Sequence, residues 1–66
     1  MIISLNGAKA DSRGATTVAE LVDVLNLPAA TLLIEHNGVA LHKREWPNRT
    51  LADGDKIELI KIVAGG

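Results

Sequence analysis

The dipeptide Asn-Gly occurs twice in this chain of 66 residues, each time after a run rich in Ile and Leu. Asn and Gly both tolerate positive φ, so this pair between two apolar runs is the strongest two-residue signal for a β-hairpin. Asn6 and Gly7 predict a hairpin between strands at 1–5 and about 8–12. Asn37 and Gly38 predict a second hairpin between strands at 31–36 and 39–41. A sheet is therefore the predicted framework.

One segment between the two hairpins has helical periodicity. Thr17 and Glu20 have the spacing of a capping box, in which the Thr17 hydroxyl accepts from the amide of residue 20 and the Glu20 carboxylate reaches back to the Thr17 amide. The helix should end near Asn26, because the residue before Pro28 is biased away from helix. Apolar residues at helical spacing form one stripe: Val18, Leu21, Val22 and Leu25.

The remaining elements complete a recognisable order. Residues 42–49 are polar and contain Pro47, which predicts a loop or a single turn with Trp46 as its anchor. A turn at 53–55 precedes a final strand at 56–63. The order strand, strand, helix, strand, strand, loop, strand matches an α+β, β-grasp (ubiquitin-like) fold, with a mixed sheet of four to five strands and one main helix packed on one face. We expect this domain at 1–63 and a flexible tail at 64–66.

Composition narrows the function classes. The chain has no Cys, which excludes a thiol nucleophile and a Cys-based metal site. Its net charge of −1 argues against nucleic-acid binding. No apolar run approaches the ~20 residues of a membrane span, and the N-terminus does not look like a signal peptide, so we expect a cytoplasmic domain. A catalytic pocket usually has a volume of roughly several hundred Å³, and so short a chain is poorly suited to enclose one. A carrier or binding module is therefore favoured over an enzyme.

Candidate metal ligands are weak. His36 and His42 flank the second hairpin, and Asp53 or Asp55 could complete a site. Their spacing is not diagnostic of any metal, and polar residues are expected at turns and strand ends. The sequence therefore predicts no metal.

An apolar patch is predicted on the sheet face that has no helix. In the last strand, Ile57 and Leu59 should face the helix, which turns Ile60 and Ile62 to the other face. An exposed aliphatic cluster of this kind favours a partner-docking surface, although the loop around Trp46 could cover part of it. The predicted interface contains Ile60, Ile62, Ile2 and Ala64.

The sequence ends in Gly65 and Gly66. Two glycines after a strand leave the α-carboxylate on a segment without side chains, which can enter a narrow site in another protein. A carboxylate becomes a good electrophile once it is joined to AMP as an acyl-adenylate. A frayed terminus is the alternative for this dipeptide taken alone, but the β-grasp order of elements favours a functional tail.

Several motifs together make the chain resemble the ThiS family, the sulfur carriers of thiamin biosynthesis, from end to end. A Trp followed by Asp-Gly-Asp and a terminal Gly-Gly is the specific combination. One departure is that Leu41-His42-Lys43 stands where the family commonly has Val-Pro-Arg. The segments that carry the resemblance are Ile3-Ser4-Leu5-Asn6-Gly7, Thr17-Val18 with Leu21-Val22, Glu35-His36-Asn37-Gly38-Val39, Arg44-Glu45-Trp46, Leu51-Ala52-Asp53-Gly54-Asp55-Lys56-Ile57-Glu58 and Val63-Ala64-Gly65-Gly66.

The resemblance implies a mechanism centred on Gly66, with Gly65 beside it. An E1-like adenylyltransferase of the ThiF type would use ATP to convert the Gly66 carboxylate to an acyl-adenylate. A relay of a sulfurtransferase and a cysteine desulfurase would convert it to a thiocarboxylate, and a thiazole synthase of the ThiG type would take the sulfur. The chain would then be a carrier and co-substrate with no stably bound cofactor and no turnover of its own.

Three alternatives stay open. The small subunit of molybdopterin synthase is similar in fold and tail chemistry, but it is typically longer and richer in aromatic residues. A ubiquitin-like modifier would use the same tail to form isopeptide bonds with lysines. A passive β-grasp interaction module would make the Gly-Gly incidental.

Overall fold

The computed structural model describes residues 1–63, which form a five-stranded mixed sheet with one α-helix on one face. In the sheet the order is β2-β1-β5-β3-β4, with β1 and β5 parallel and the other pairs antiparallel. This arrangement confirms the predicted β-grasp fold. The predicted tail at 64–66 lies outside the described residues. The elements are β1 (Ile2–Leu5), β2 (Ala8–Asp11), α1 (Val18–Val24), β3 (Leu32–His36), β4 (Val39–Leu41) and β5 (Lys56–Lys61), with 3-10 helices at Ala29–Thr31 and Lys43–Asn48.

Both predicted hairpins form at their Asn-Gly dipeptides. Asn6 and Gly7 have φ of 50° and 86°, and Asn37 and Gly38 have φ of 51° and 83°. Positive φ at both central residues gives the turn a twist that matches the right-handed twist of the paired strands. The hairpins therefore arise from local backbone preference and agree with the pairing of the sheet.

The helix cap differs from the prediction in one contact. Thr17 is the N-cap, and its hydroxyl accepts from the Glu20 amide at 3.1 Å, as expected. The Glu20 carboxylate, however, accepts from the Thr16 hydroxyl and the Thr16 amide, both at 2.7 Å. Thr16 attracts this carboxylate because it offers two donors on one residue. The Thr16 hydroxyl is the largest cause that holds the pKa of Glu20 below its ordinary value.

The core lies between α1 and the sheet and is almost entirely aliphatic. Trp46 is buried with it, which confirms its predicted role as the anchor of the segment that forms the second 3-10 helix. No helix within residues 1–63 is long and apolar enough to cross a membrane. The buried apolar side chains are Ile3, Ala15, Val18, Leu21, Val22, Leu32, Ile34, Leu41, Trp46, Leu51 and Ile57.

Candidate functional site

Strand β5 leads the chain toward Gly65 and Gly66 from the middle of the sheet. It pairs with β1 on one side, where Leu5 lies opposite Ile57, and with β3 on the other side along its whole length. The ladder with β3 continues one step past the strand, because the Ile62 amide donates to the Thr31 carbonyl at 2.7 Å. The backbone on the β3 side therefore accompanies the chain to the end of β5, whereas β1 pairs only with Lys56 and Ile57.

The predicted assignment of faces along β5 is confirmed. Ile57 is fully buried and Leu59 is partly buried against the core, whereas Ile60 lies on the other face and is 47% exposed. Leu33 is the cross-strand partner of Ile60 and is 48% exposed, as is Ile62. We call these three residues, Leu33, Ile60 and Ile62, the apolar cluster. Its position places an exposed hydrophobic surface close to where the chain leaves β5.

Leu33 was missed in the sequence prediction of this surface. Its signal was the alternation within β3, in which Leu32 and Ile34 are buried and Leu33 between them is exposed. The prediction took residues from the first and last strands and left out β3, but a surface on a sheet is made by residues from adjacent strands. Ala64, which was also predicted for this interface, lies outside the described residues.

Ile2 does not join the apolar cluster, and the prediction is corrected on this point. Ile2 is 48% exposed on the helix-free face, as expected from the burial of Ile3. The parallel register, however, pairs Ser4 with Lys56, and the Gly54 amide donates to the Ile2 carbonyl at 2.8 Å. Ile2 thus lies beside a residue six positions before Ile60, about 20 Å away along the strand.

A polar network lies before β5, at the end of the strand remote from the tail. Asp55 accepts from the His36 Nε2 at 2.6 Å, from the Asn37 Nδ2 at 3.0 Å and from the Ala52 amide at 2.8 Å. Arg49 Nε donates to His36 Nδ1 at 2.8 Å, so the imidazole proton is on Nε2 and points at Asp55. Burial raises the pKa of Asp55, but the hydrogen bonds from His36, Asn37 and Ala52 outweigh it and leave that pKa below its ordinary value.

This network gives the predicted metal candidates a structural role. His36 and Asp55 do meet, but their third partner is the cation Arg49, which opposes metal binding. His42 is exposed at the start of the second 3-10 helix, where its amide donates to the Glu45 carboxylate at 2.8 Å. Among residues 1–63, no group of three or more His, Cys, Asp or Glu side chains is arranged to hold a metal. The network links the second 3-10 helix, the second hairpin and the turn before β5.

Lys43, which belongs to the segment 41–43 that departs from the family pattern, makes a defined hydrogen bond. Lys43 Nζ donates to the Ala30 carbonyl at 3.1 Å. Ala30 precedes Thr31, whose carbonyl binds the Ile62 amide, so Lys43 supports the segment that flanks the end of β5. A lysine at this position therefore connects the loop to the tail-bearing side of the sheet.

Comparison with known proteins identifies the family. A model of the ThiS family matches residues 3–66, which is nearly the whole chain and includes Gly65 and Gly66. The chain belongs to the ThiS family. The family assignment confirms the resemblance found in the sequence, to the sulfur carriers of thiamin biosynthesis.

Solved ThiS structures have the same fold. The crystal structure of the thiamine biosynthesis protein ThiS from Geobacter metallireducens is 30% identical, covers 100% of both chains and has a TM-score of 0.84. An NMR solution structure of a thiamine biosynthesis protein from the same organism is 30% identical, covers 100% of this chain and 88% of the other, and has a TM-score of 0.77. The uncharacterized protein ycf40 of Trieres chinensis is 26% identical over 62 residues, covering 94% of this ThiS-family chain and 85% of ycf40.

Proposed function

We propose that this chain carries sulfur for thiamin biosynthesis as a thiocarboxylate on Gly66. The observation that carries the proposal is the match of the ThiS family through residue 66, on a chain whose last strand lies at the centre of the sheet. A rigid domain followed by a segment of small residues suits a terminus that must visit more than one active site. The partners supply the pockets and the carrier supplies the reacting carboxylate.

The chemistry proceeds in three substitutions. A Gly66 carboxylate oxygen attacks the α-phosphorus of ATP in the ThiF-type adenylyltransferase, pyrophosphate leaves, and an acyl-adenylate forms. The terminal sulfur of a persulfide on the sulfurtransferase, loaded by the cysteine desulfurase, attacks the acyl carbon, and AMP leaves with its bonding electrons. A second thiol then attacks the sulfurtransferase sulfur of the resulting acyl disulfide, which releases the Gly66 thiocarboxylate and leaves a disulfide between the two thiols. A ThiG-type thiazole synthase then takes the sulfur. In this scheme the chain is a cytoplasmic co-substrate, and ATP is bound by the partner.

Intact-mass spectrometry tests this function directly. In chain isolated from cells growing without thiamin, we expect exchange of one oxygen for sulfur, localised to Gly66 by fragmentation. The same chain from cells that lack the adenylyltransferase should keep its oxygen, which is the matched control. Covalent adducts on lysines of other proteins would instead support a ubiquitin-like modifier. If neither the sulfur exchange nor such adducts are found, the proposal has no support.

The apolar cluster is the proposed docking surface for the adenylyltransferase. Leu33, Ile60 and Ile62 are each about half exposed on the helix-free face, close to the start of the tail. A contact there would hold the domain while the tail enters the active site. Burial of such aliphatic side chains at the centre of an interface supplies a large share of binding free energy.

A charge placed in the apolar cluster should weaken docking. Ile60→Asp is expected to raise the Kd for the adenylyltransferase by at least about 10-fold, because a buried unpaired carboxylate opposes binding. Ile2→Asp is the matched control, since Ile2 has the same exposure on the same face but lies at the opposite end. Calorimetric titration checks both variants, and equal affinities for them would remove the cluster from the docking surface.

A further inference from the structure

The Asn6 side chain binds β5 as a strand residue would. Its Oδ1 accepts from the Leu59 amide at 2.6 Å, and its Nδ2 donates to the Leu59 carbonyl at 3.3 Å. Strand β1 ends at Leu5, and the Asn6 backbone amide makes one more bond, to the Ile57 carbonyl at 2.9 Å. The side-chain amide therefore extends the pairing of β5 by one step after the backbone of β1 has turned away.

This contact is placed toward the tail. Leu59 lies two residues before the end of β5 and seven residues before Gly66. On the β3 side, backbone pairing holds β5 as far as Lys61, and the Ile62 amide is bound as well. On the β1 side, within residues 1–63, Asn6 makes the hydrogen bonds to β5 that lie nearest the tail. Asn6 thus restrains the one edge of β5 that lacks a strand neighbour there.

The second hairpin provides an internal comparison. Asn37 also has positive φ before a Gly, and it also binds the β5 backbone, since its Oδ1 accepts from the Lys56 amide at 2.8 Å. That contact lies at the first residue of β5, on the β3 side and remote from the tail. The two Asn-Gly turns therefore hold opposite ends of the same strand from opposite edges.

We propose that Asn6 is a positioning residue for the carrier terminus, an inference that rests on the proposed function. By fixing the Leu59 backbone, Asn6 sets the direction in which the chain leaves the sheet and so the place where the Gly66 carboxylate arrives in the adenylating site. The four residues from Leu59 to Val63 span at most about 14 Å, so a tilt of about 10° at Leu59 moves Val63 by up to about 2 Å. A misplacement of about 1 Å at reacting atoms can lower a rate by about 100-fold.

Glycine substitutions at the two turns test this role. Asn6→Gly and Asn37→Gly both keep a residue that accepts positive φ, and each removes two side-chain hydrogen bonds. We expect Asn6→Gly to lower kcat for adenylate formation by the ThiF-type enzyme by about 10-fold with KM unchanged, because docking persists while the carboxylate is misaligned. We expect Asn37→Gly to keep the parent kcat even where its melting temperature falls further.

A conservative variant and a local probe separate positioning from stability. Asn6→Asp retains the acceptor for the 2.6 Å bond from the Leu59 amide and should recover most of the lost kcat. Amide hydrogen exchange should quicken at Leu59 in Asn6→Gly and stay slow there in Asn37→Gly. A parent kcat in Asn6→Gly, or an equal loss in both glycine variants, would overturn the inference alone. Absence of adenylate on the parent chain would overturn the proposed function and this inference with it.

Discussion

Adding one alanine after Gly66 is expected to lower adenylation of the chain by at least about 100-fold while the domain stays folded. One further residue moves the α-carboxylate by about 3.5 Å and replaces the Gly66 carboxylate by an amide. The buried core is formed by residues between Ile3 and Ile57, so the addition leaves it unchanged. Pyrophosphate exchange catalysed by the adenylyltransferase measures the effect.

A change of the same segment at constant length is the control for this experiment. Ala64→Ser alters one side chain near the terminus but leaves Gly66 in register. Its rate of pyrophosphate exchange should therefore stay within about two-fold of the parent rate. Growth without added thiamin, in a strain that relies on this chain for thiamin biosynthesis, gives a second readout. Survival of growth with the extended chain would show that the Gly66 carboxylate is not the reacting group.

Asp55→Ala should cause the largest loss of stability among the polar substitutions considered. The carboxylate accepts three hydrogen bonds, and its removal leaves the buried His36 Nε2 and the Ala52 amide without their acceptor. We expect the free energy of unfolding to fall by about 3 kcal/mol. In a domain this small, that corresponds to a drop of about 12–24 °C in melting temperature.

Asp53→Ala is a matched control two residues away. Asp53 is exposed, and its Oδ1 accepts one bond, from the Ile2 amide at 2.9 Å. Its removal should lower the free energy of unfolding by less than about 1 kcal/mol, because water can replace the carboxylate. Urea unfolding of the two variants at neutral pH measures both values. Equal losses would show that the network around Asp55 does not stabilise the fold beyond an ordinary surface contact.

The same carboxylate gives the stability a pH dependence. The native pKa of Asp55 lies below its ordinary value, so folding favours the ionised form. Its contribution is complete above the unfolded pKa of about 3.9 and is lost as the pH falls through the lowered native pKa. Parent stability should therefore decline on acidification below about pH 4, and Asp55→Ala should lack this part of the slope. Urea unfolding from about pH 5 to about pH 2 gives the free energy of unfolding at each pH. The same pH dependence in the parent and in Asp55→Ala would contradict the role of Asp55.

Elements with local causes were predictable from sequence. Both hairpins follow from Asn-Gly dipeptides that adopt positive φ, and α1 follows from its apolar stripe and from the Thr17 cap. The family was also predictable, because its specific motifs lie within short segments whose spacing this chain keeps. The Glu20 contact was missed because the capping-box pattern directs this carboxylate to the Thr17 amide, whereas the neighbouring Thr16 offers it both a hydroxyl and an amide donor.

Features that depend on long-range register were not predictable. Ile2 and Ile60 share a face, but only the parallel pairing of Ser4 with Lys56 shows that they lie at opposite ends of it. The hydrogen bonds of His36 span 13 residues to Arg49 and 19 to Asp55, and no sequence pattern connects these positions. Tertiary contacts of this kind are decided by how the strands align, which the period of a single strand does not determine.

The parallel contact between the first and the last strand has a consequence for biosynthesis. β1 pairs with β5 through Ser4 and Lys56, and β5 lies between β1 and β3. A nascent chain that has not yet reached Lys56 therefore lacks the central strand of its sheet. The entropy cost of closing this long loop is offset only when Ile57, a fully buried side chain of the same strand, can join the core. Incomplete translation products should therefore stay open to proteases, and the folded molecules should be those that carry the final strand.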